Sequence, residues 1–277
     1  MVGSLPRREA FFLPGGVTPE GRFCLLTRAR EPKGTLIFAH AFAEEMNKSR
    51  RMVALAAAAF ADCGWNTLQV DLTGCGDSGG DFGDASWAAW VADLGDAWAW
   101  AEANLPGPLA LWGLRAGALV LSEWLRSSGK VAPLLLWQPV TNGRQHLNQF
   151  LRLKAAGEML ADADAKASME AIRSSLQAGD AVEIAGYRLS SSLAGGLEAA
   201  SLALSPGFGA PVAVFELGPP DRKDVSPALR VLVERWSAAG VPVRAEVASG
   251  PAFWQTQEIE LCPPLIAASV SALEAFS

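Results

Sequence analysis

The sequence Gly113-Leu114-Arg115-Ala116-Gly117 lies between an apolar segment, Leu109 to Trp112, and a helical run, Ala118 to Leu125. A G-x-S-x-G sequence in such a strand–turn–helix setting holds a nucleophilic side chain at a sharp turn above a sheet. The central residue here is Arg115. A guanidinium stays protonated in proteins, so it cannot attack a carbonyl carbon. The pattern therefore predicts the turn of a hydrolytic enzyme without its nucleophile.

Composition restricts the function classes further. Half of the 277 residues are hydrophobic, 19% are charged, and the formal net charge is −6. These values predict one large globular domain and argue against nucleic-acid binding. No apolar run reaches the roughly 18 residues of a membrane span. The 4 cysteines are far apart and lack metal-ligand spacing. We therefore expect free thiols, a cytoplasmic location, and neither a metal nor another cofactor.

Strand-like and helical segments alternate along most of the chain. Predicted strands cover 9–13, 22–30, 34–40, 67–72, 109–114, 134–140, 211–217 and 243–248, and predicted helices cover 48–63, 86–104, 118–125 and 227–239. This alternation indicates an α/β fold with a mainly parallel sheet of about eight strands and helices on both faces. Residues 141–205 are instead mostly helix-like, with runs at 147–161 and 164–177. We expect a core of residues 1–140 and 206–277. We expect the intervening residues 141–205 to form a helical cap insertion over the C-terminal ends of the strands.

Several features make the chain resemble an α/β-hydrolase along nearly its whole length. His40-Ala41-Phe42 ends a predicted strand at the place of that fold's oxyanion loop. Asp71 to Gly80 is similar to the D-x-x-G-x-G-x-S-x-G turn of lipase- and esterase-like members. The Arg115 turn follows, and Gly218 to Asp221 comes after a strand where the family carries its acid. The resemblance implies the α/β-hydrolase fold and hydrolysis of ester bonds as the family's activity.

Two stretches make this resemblance specific to one group of α/β-hydrolases. Residues 42–52 (FAEEMNKSRRM) and 253–259 (FWQTQEI) are similar to the hydrolase 2 proteins associated with exosortase A systems. Those proteins occur with bacterial exopolysaccharide and protein-sorting loci. The resemblance therefore implies a link to exopolysaccharide biosynthesis and, as a partner, a protein of that machinery.

The triad that the resemblance implies is incomplete. Histidine comes last in this order of catalytic residues, after the final strand, but residues 249–254 read SGPAFW. Of the 2 histidines in the chain, His40 is expected to pack in the oxyanion strand and His146 to be an ordinary surface or cap residue. Asp221 is the candidate acid, with no histidine to orient. The sequence thus predicts a degenerate site, with Arg115 in place of the nucleophile.

Other side chains are poor replacements for the missing nucleophile. Ser122 lies more than one turn into the helix after Arg115, so it should point away from the pocket mouth. Cys75 belongs to the glycine-rich turn, which lies beside such sites rather than in them. Ser190 to Ser192 is predicted to be a solvated loop.

The charge on Arg115 calls for a partner. A buried, unpaired cation is costly, so we expect a carboxylate from Glu44, Glu45 or Asp221, or else a bound anion. Backbone N–H groups of Phe42 and Ala116 are expected nearby. The predicted pocket residues are His40, Phe42, Glu44, Glu45, Arg115, Ala116 and Trp254.

Three functions remain open. The first is a non-catalytic or atypical homologue that binds an anionic or acylated small molecule. The second is an ester or thioester hydrolase, or an acyltransferase, with displaced catalytic residues. The third is a protein that docks a partner of the exopolysaccharide machinery.

Overall fold

A central sheet of 8 strands organises the protein. The computed structural model describes residues 6–16, 18–159 and 165–276. The strands are β1 (Arg7–Leu13), β2 (Arg22–Arg28), β3 (Gly34–Ala39), β4 (Trp65–Val70), β5 (Leu109–Leu114), β6 (Leu134–Trp137), β7 (Val182–Ile184), β8 (Tyr187–Leu189), β9 (Val212–Gly218) and β10 (Val243–Ser249). The sheet order is β1-β2-β4-β3-β5-β6-β9-β10, and β7 pairs with β8 separately.

Most of the sheet is parallel, as the apolar strand segments predict. Strand β2 pairs antiparallel with β1 and with β4, and every other neighbouring pair in the large sheet is parallel. Strands β3, β5 and β6 are buried along their whole length, which is expected for strands covered on both faces. The expected fold, an α/β-hydrolase fold with about eight strands, is confirmed.

Helices cover both faces of this sheet. They are α1 (Glu44–Asp62), α2 (Trp87–Asn104), α3 (Gly117–Ser128), α4 (Gly143–Met159), α5 (Ala165–Gln177), α6 (Ser191–Ala199), α7 (Pro227–Ala238) and α8 (Pro263–Leu273). Two buried apolar clusters lie against opposite faces, one around α2 and α3 and the other around α1 and α8. None of the described helices is long and apolar enough to cross a bilayer.

Three helices and the small hairpin lie between β6 and β9, and we call these elements, α4, α5, β7, β8 and α6, the cap elements. The predicted runs 147–161 and 164–177 correspond to α4 and α5, although 160–161 and 164 lie outside the described residues. The serines expected in a solvated loop instead begin α6, because the Ser190 hydroxyl accepts a hydrogen bond from the Leu193 amide and caps the helix.

Two predicted boundaries move for reasons that matter at the site. Strand β6 ends at Trp137 rather than 140, because Gln138 has φ 41° and turns the chain out of the sheet. Helix α1 begins at Glu44 rather than 48, directly after Ala43 with φ 50°. Glu44 and Glu45 occupy its first turn, where carboxylates are favoured by the helix dipole.

Candidate functional site

Arg115 occupies the sharp turn that the glycine pattern predicts. It follows the last residue of β5, Leu114, and has φ 54°, a left-handed conformation that costs a non-glycine residue about 1–2 kcal/mol. Its amide donates to the Trp137 carbonyl at 3.0 Å, and its carbonyl accepts from the Val140 amide at 3.1 Å. We call residues 113–117 the elbow. Hydrogen bonds to the chain after β6 thus hold its central residue in place.

The flanking glycines are required by close packing. A Cβ atom on Gly117 would lie 2.2 Å from the Ala39 carbonyl oxygen, and one on Gly113 would lie 2.8 Å from Leu121 Cδ1. Helix α3 therefore approaches β3 and β5 too closely for any side chain at these two positions. This packing sets the sharpness of the elbow and the direction of the Arg115 side chain.

Backbone strain is concentrated around the elbow. Within the described residues, the non-glycine positions with positive φ are Ala43, Arg115, Gln138 and Ala185. The first three follow, or come shortly after, the C-terminal ends of β3, β5 and β6, which are neighbouring strands of the sheet. Clusters of strained residues are typical of functional sites. In parallel α/β sheets, ligands also bind at this edge.

Glu45 is the carboxylate that pairs with Arg115. Arg115 Nη2 lies 3.0 Å from Glu45 Oε1, and Arg115 Nε lies 3.2 Å from the same oxygen. The two side chains are only 15% and 21% exposed. The Arg115 guanidinium also lies over the Trp254 ring, 5.1 Å from its centroid. The expected ion pair is confirmed for Glu45, and a cation–π contact supports it from the other side.

The Glu45 carboxyl is perturbed by its surroundings. Burial raises its pKa above the ordinary value of 4.5, and this effect exceeds the opposing attraction of Arg115. Arg115 Nη1 reaches the Gln138 carbonyl oxygen at 3.5 Å. Since a guanidinium carries five N–H groups, the acceptors among the described residues leave part of its donor edge for a ligand.

The other two carboxylates considered for Arg115 do not pair with it in the described residues. Glu44 is exposed and accepts hydrogen bonds from Tyr187 Oη at 2.9 Å and Asn47 Nδ2 at 3.2 Å, joining α1 to the cap hairpin. Asp221 is exposed in the turn after β9, and no ion pair joins it to Arg115 in the described residues. The buried carboxylate of β9 is Glu216, which the sequence analysis missed.

Glu216 is already engaged by its own neighbours. Its side chain accepts from the Ser226 hydroxyl at 2.6 Å and the Ser226 amide at 2.7 Å, and it is ion-paired with Arg222. This arrangement holds the turn that contains Asp221 against the start of α7. Its position on the β9 strand, two residues before the predicted Gly218–Asp221 segment, was the available sequence signal.

A cavity of about 480 Å³ lies above the Arg115–Glu45 pair. We call it the cap cavity, because α4 supplies one wall. Its main lining residues are Phe42, Glu45, Arg115, His146, Phe150 and Trp254. The Phe42 ring packs edge-on against Phe150, with centroids 5.0 Å apart. Glu44 and Lys48 add two further charged side chains to the lining. Aromatic rings beside charged groups suit a ligand that combines an apolar part with a polar part.

His146 lies at this cavity, contrary to the expectation of an ordinary surface or cap residue. It is 7% exposed, and its ring packs edge-on against Phe42 at 5.9 Å. Neither ring nitrogen has a hydrogen-bond partner in the described residues. Burial, assisted by the charge of Arg115, lowers its pKa to about 3, so the ring is neutral. Its place early in α4, the first cap helix, was the only signal in the sequence.

His40 is placed outside the cap cavity, although it was among the predicted pocket residues. Its Nδ1 donates to the Ala41 carbonyl at 2.7 Å, which leaves Nε2 to accept from the Leu72 amide at 3.2 Å. Burial lowers its pKa, and both nitrogens are occupied. These hydrogen bonds agree with the packing role expected for His40 in the oxyanion strand.

The remaining predicted pocket residues divide between the cavity and the core. Phe42, Glu44 and Trp254 line the cap cavity, whereas Ala116 is buried at the start of α3. Ser122 is buried and donates to the Ala203 carbonyl at 2.6 Å. Cys75 is buried, and burial raises its thiol pKa far above the ordinary value. Neither Ser122 nor Cys75 lines the cap cavity.

Another large cavity, about 550 Å³, lies around Cys63 and Trp65. Trp65 begins β4, so this cavity is at the opposite end of the sheet from the elbow. It is remote from every strained residue named above, and we place the candidate site at the elbow. Among residues 6–16, 18–159 and 165–276, no group of three or more His, Cys, Asp or Glu side chains is arranged to hold a metal ion.

Comparison with known families agrees with the fold. The family model for serine aminopeptidase, S33, matches residues 30–195, more than half of the chain. The chain belongs to this α/β-hydrolase family. The matched region contains the elbow and Glu45, and it ends before Trp254.

Solved structures share the same architecture. Est1E from Butyrivibrio proteoclasticus, solved with ferulic acid bound, has a TM-score of 0.59 and 14% identity, covering 92% of this chain and 93% of its own. A putative hydrolase from Agrobacterium vitis S4 has a TM-score of 0.59 and 15% identity, covering 98% of both chains. An alpha-beta serine hydrolase homologue from Coxiella burnetii has a TM-score of 0.54 and 16% identity, covering 97% of both. At these identities the likeness establishes the fold alone. No curated protein matches the chain.

Proposed function

We propose that this S33-family chain is a non-catalytic ligand-binding protein whose elbow recognises an anionic or acylated small molecule. The observation that carries the proposal is Arg115 itself. It holds the strained elbow position, is paired with Glu45, contacts the Trp254 ring and lines the cap cavity. A guanidinium is suited to bind an acyl or carboxylate oxygen and unsuited to attack one.

The surroundings of the two histidines support the same proposal. Serine hydrolysis needs a histidine that takes the proton from the nucleophile. His40 uses both ring nitrogens for backbone groups, and His146 is neutral with its pKa lowered to about 3. The neighbourhood of Arg115 therefore offers binding groups rather than a proton relay of the serine type.

The finer family placement is also a proposal. The two stretches that resemble exosortase A system-associated hydrolase 2 proteins contribute Glu45 and Trp254, the two side chains that contact Arg115. The convergence of both stretches on Arg115 supports this placement. We further propose a cytoplasmic location, which the 4 free cysteines support.

Hydrolysis by displaced groups is a second candidate, favoured by one observation. Glu45 is a buried carboxyl with a raised pKa at a cavity, and such groups are common among general acids and bases. The third function, docking of an exopolysaccharide-system protein, would need a large exposed apolar patch. The large exposed apolar side chains are distributed along the chain, for example Phe12 on β1, Val131 between α3 and β6, and Val231 on α7.

Reactivity distinguishes binding from hydrolysis. We expect no labelling of the purified protein by a fluorophosphonate probe and no turnover of p-nitrophenyl octanoate above that of the heat-denatured protein. Octanoate or methyl octanoate should nevertheless change the fluorescence of the native protein, because Trp254 lies at the cavity. Stoichiometric labelling of a serine, or ester turnover that Glu45→Gln abolishes, would instead establish the displaced-catalysis alternative.

A further inference from the structure

A smaller recess joins the cap cavity at Arg115. It measures about 160 Å³ and is lined by Gln138, Asn142, Gln145 and Gln149, with Glu216 and Ser226 at one side. We call it the amide recess. Arg115, His146 and Gln149 line both it and the cap cavity, so one ligand bound at Arg115 would reach into both spaces.

The amide side chains give the recess uncharged hydrogen-bonding capacity. Each amide offers two N–H donors and a carbonyl acceptor. Gln138 Oε1 accepts from the Leu217 amide at 2.7 Å, and Asn142 Oδ1 accepts from the Gln145 amide at 2.9 Å. These bonds orient the two side chains and leave their NH₂ groups for other acceptors.

The charged side chains that border the recess already have partners. Glu216 is bonded to Ser226 and Arg222, and Arg115 is paired with Glu45. Arg115 is the one cationic side chain among the described residues that line the recess, so the rest of the wall offers amide groups and no further cation. Hydroxyl groups, which donate and accept at the same atom, match such a wall better than a carboxylate does.

His146 places an unpaired polar ring at the border between the two spaces. It is 7% exposed, and neither of its ring nitrogens has a hydrogen-bond partner in the described residues. Unpaired buried polar groups cost about 1–3 kcal/mol and are rare in native proteins. A hydroxyl of the ligand, reached by a small turn of the ring, would satisfy this imidazole.

The geometry points to an acylated amphiphile with an uncharged, hydroxyl-rich head group as the ligand of the Arg115 site. Its head occupies the amide recess, and its apolar chain lies among Phe42, Phe150 and Trp254 in the cap cavity. The recess has the volume of about five water molecules at roughly 30 Å³ each, enough for a compact polyol or one sugar ring. Leu153, an apolar side chain that is 55% exposed at the cap cavity, is positioned to cover the chain.

This inference rests on the proposed function and adds the ligand class. It is tested by titration calorimetry with n-octyl β-glucoside and with octanoate, both below their critical micelle concentrations. The two probes share an eight-carbon tail and differ in the head group. We expect the glucoside to bind roughly threefold or more tightly than octanoate, because its hydroxyls reach the amides.

Two matched variants locate the head group. Gln145 lines the amide recess and is absent from the lining of the cap cavity, whereas Gln255 lines the cap cavity and is absent from the amide recess. Gln145→Ala should weaken glucoside binding roughly fivefold and leave octanoate binding unchanged. Gln255→Ala should leave the preference for the glucoside unchanged.

The outcomes separate the inference from the proposed function. If octanoate binds as tightly as the glucoside or more tightly, or if Gln145→Ala weakens both equally, the head-group assignment is overturned and ligand binding at Arg115 still stands. If neither probe binds the native protein, both proposals fail.

Discussion

Replacing Arg115 by Met removes the cation that faces Glu45 while keeping a side chain of similar length at the elbow. The pair is only 15% and 21% exposed. Removing one partner of a buried pair typically costs about 3–5 kcal/mol, and the partial exposure places the expected loss near the lower end. With about 2–4 °C of melting temperature per kcal/mol for domains approaching this size, a loss of about 3 kcal/mol lowers the melting temperature by roughly 6–12 °C.

A double-mutant cycle assigns this loss to the ion pair. Glu45→Met should also destabilise the protein, because it leaves Arg115 unpaired. Arg115→Met/Glu45→Met should recover most of the loss, since apolar side chains replace both charges. Arg126→Met provides a control, because the Arg126–Glu123 pair lies at the surface and its loss should stay within about 0.5 kcal/mol.

The pH dependence gives a second, independent readout. The Glu45 pKa is raised in the folded protein, so Glu45 stabilises the fold most below its ordinary value of 4.5. Its contribution falls as the pH rises through the raised folded pKa. Arg115→Met raises that pKa further, so the variant should lose more stability at about pH 8 than at about pH 5.5. Urea unfolding at both pH values measures this; equal losses at the two pH values, or no recovery in the double variant, would refute the reasoning.

Three further predictions concern single residues. His146→Phe should raise the free energy of unfolding by about 1 kcal/mol, because it removes unpaired buried nitrogens. His40→Phe should lower it by about 2 kcal/mol, because the Ala41 carbonyl and the Leu72 amide lose their hydrogen-bond partner. Changes of the same sign in urea unfolding of the two variants would contradict this prediction. Arg115→Asn should be more stable than Arg115→Val by about 1 kcal/mol in thermal melts, because Arg115 has φ 54° and asparagine tolerates that conformation. A more stable valine variant would contradict a left-handed backbone at residue 115. Iodoacetamide should label Cys63 first, because Cys24 is buried with its thiol pKa raised to about 12; early modification of Cys24, seen by mass spectrometry, argues against that burial.

The fold could be predicted from the sequence because the features that encode it are local in the chain. The glycines at 113 and 117 reflect close packing of α3 on β3 and β5, and the fully apolar strands reflect burial on both faces. Helix α8 was not predicted, although Pro263 and Pro264 mark its first turn. Residues 67–72 were predicted as a strand that the structure places at Trp65–Val70, since apolar runs fix strand ends only to within a few residues.

The candidate site could be predicted only in part from the sequence. Arg115 could be chosen from its place between two glycines, and the need for a carboxylate follows from its charge. Which carboxylate pairs with it depends on the turn at Ala43, which directs Glu45 inward and leaves Glu44 toward Tyr187. His146 and the amide recess depend on how α4 packs above the elbow, and no local pattern encodes that three-dimensional approach.

The most direct test is a crystal structure of the native protein soaked with methyl 8-bromooctanoate, with the bromine located by anomalous diffraction. A binding site at Arg115 without hydrolysis predicts an intact ester, its carbonyl oxygen at the Arg115 guanidinium and its bromine among Phe42, Phe150 and Trp254. A hydrolysed acid in the cavity, or bromine bound elsewhere with the Arg115 site unoccupied, would contradict the account.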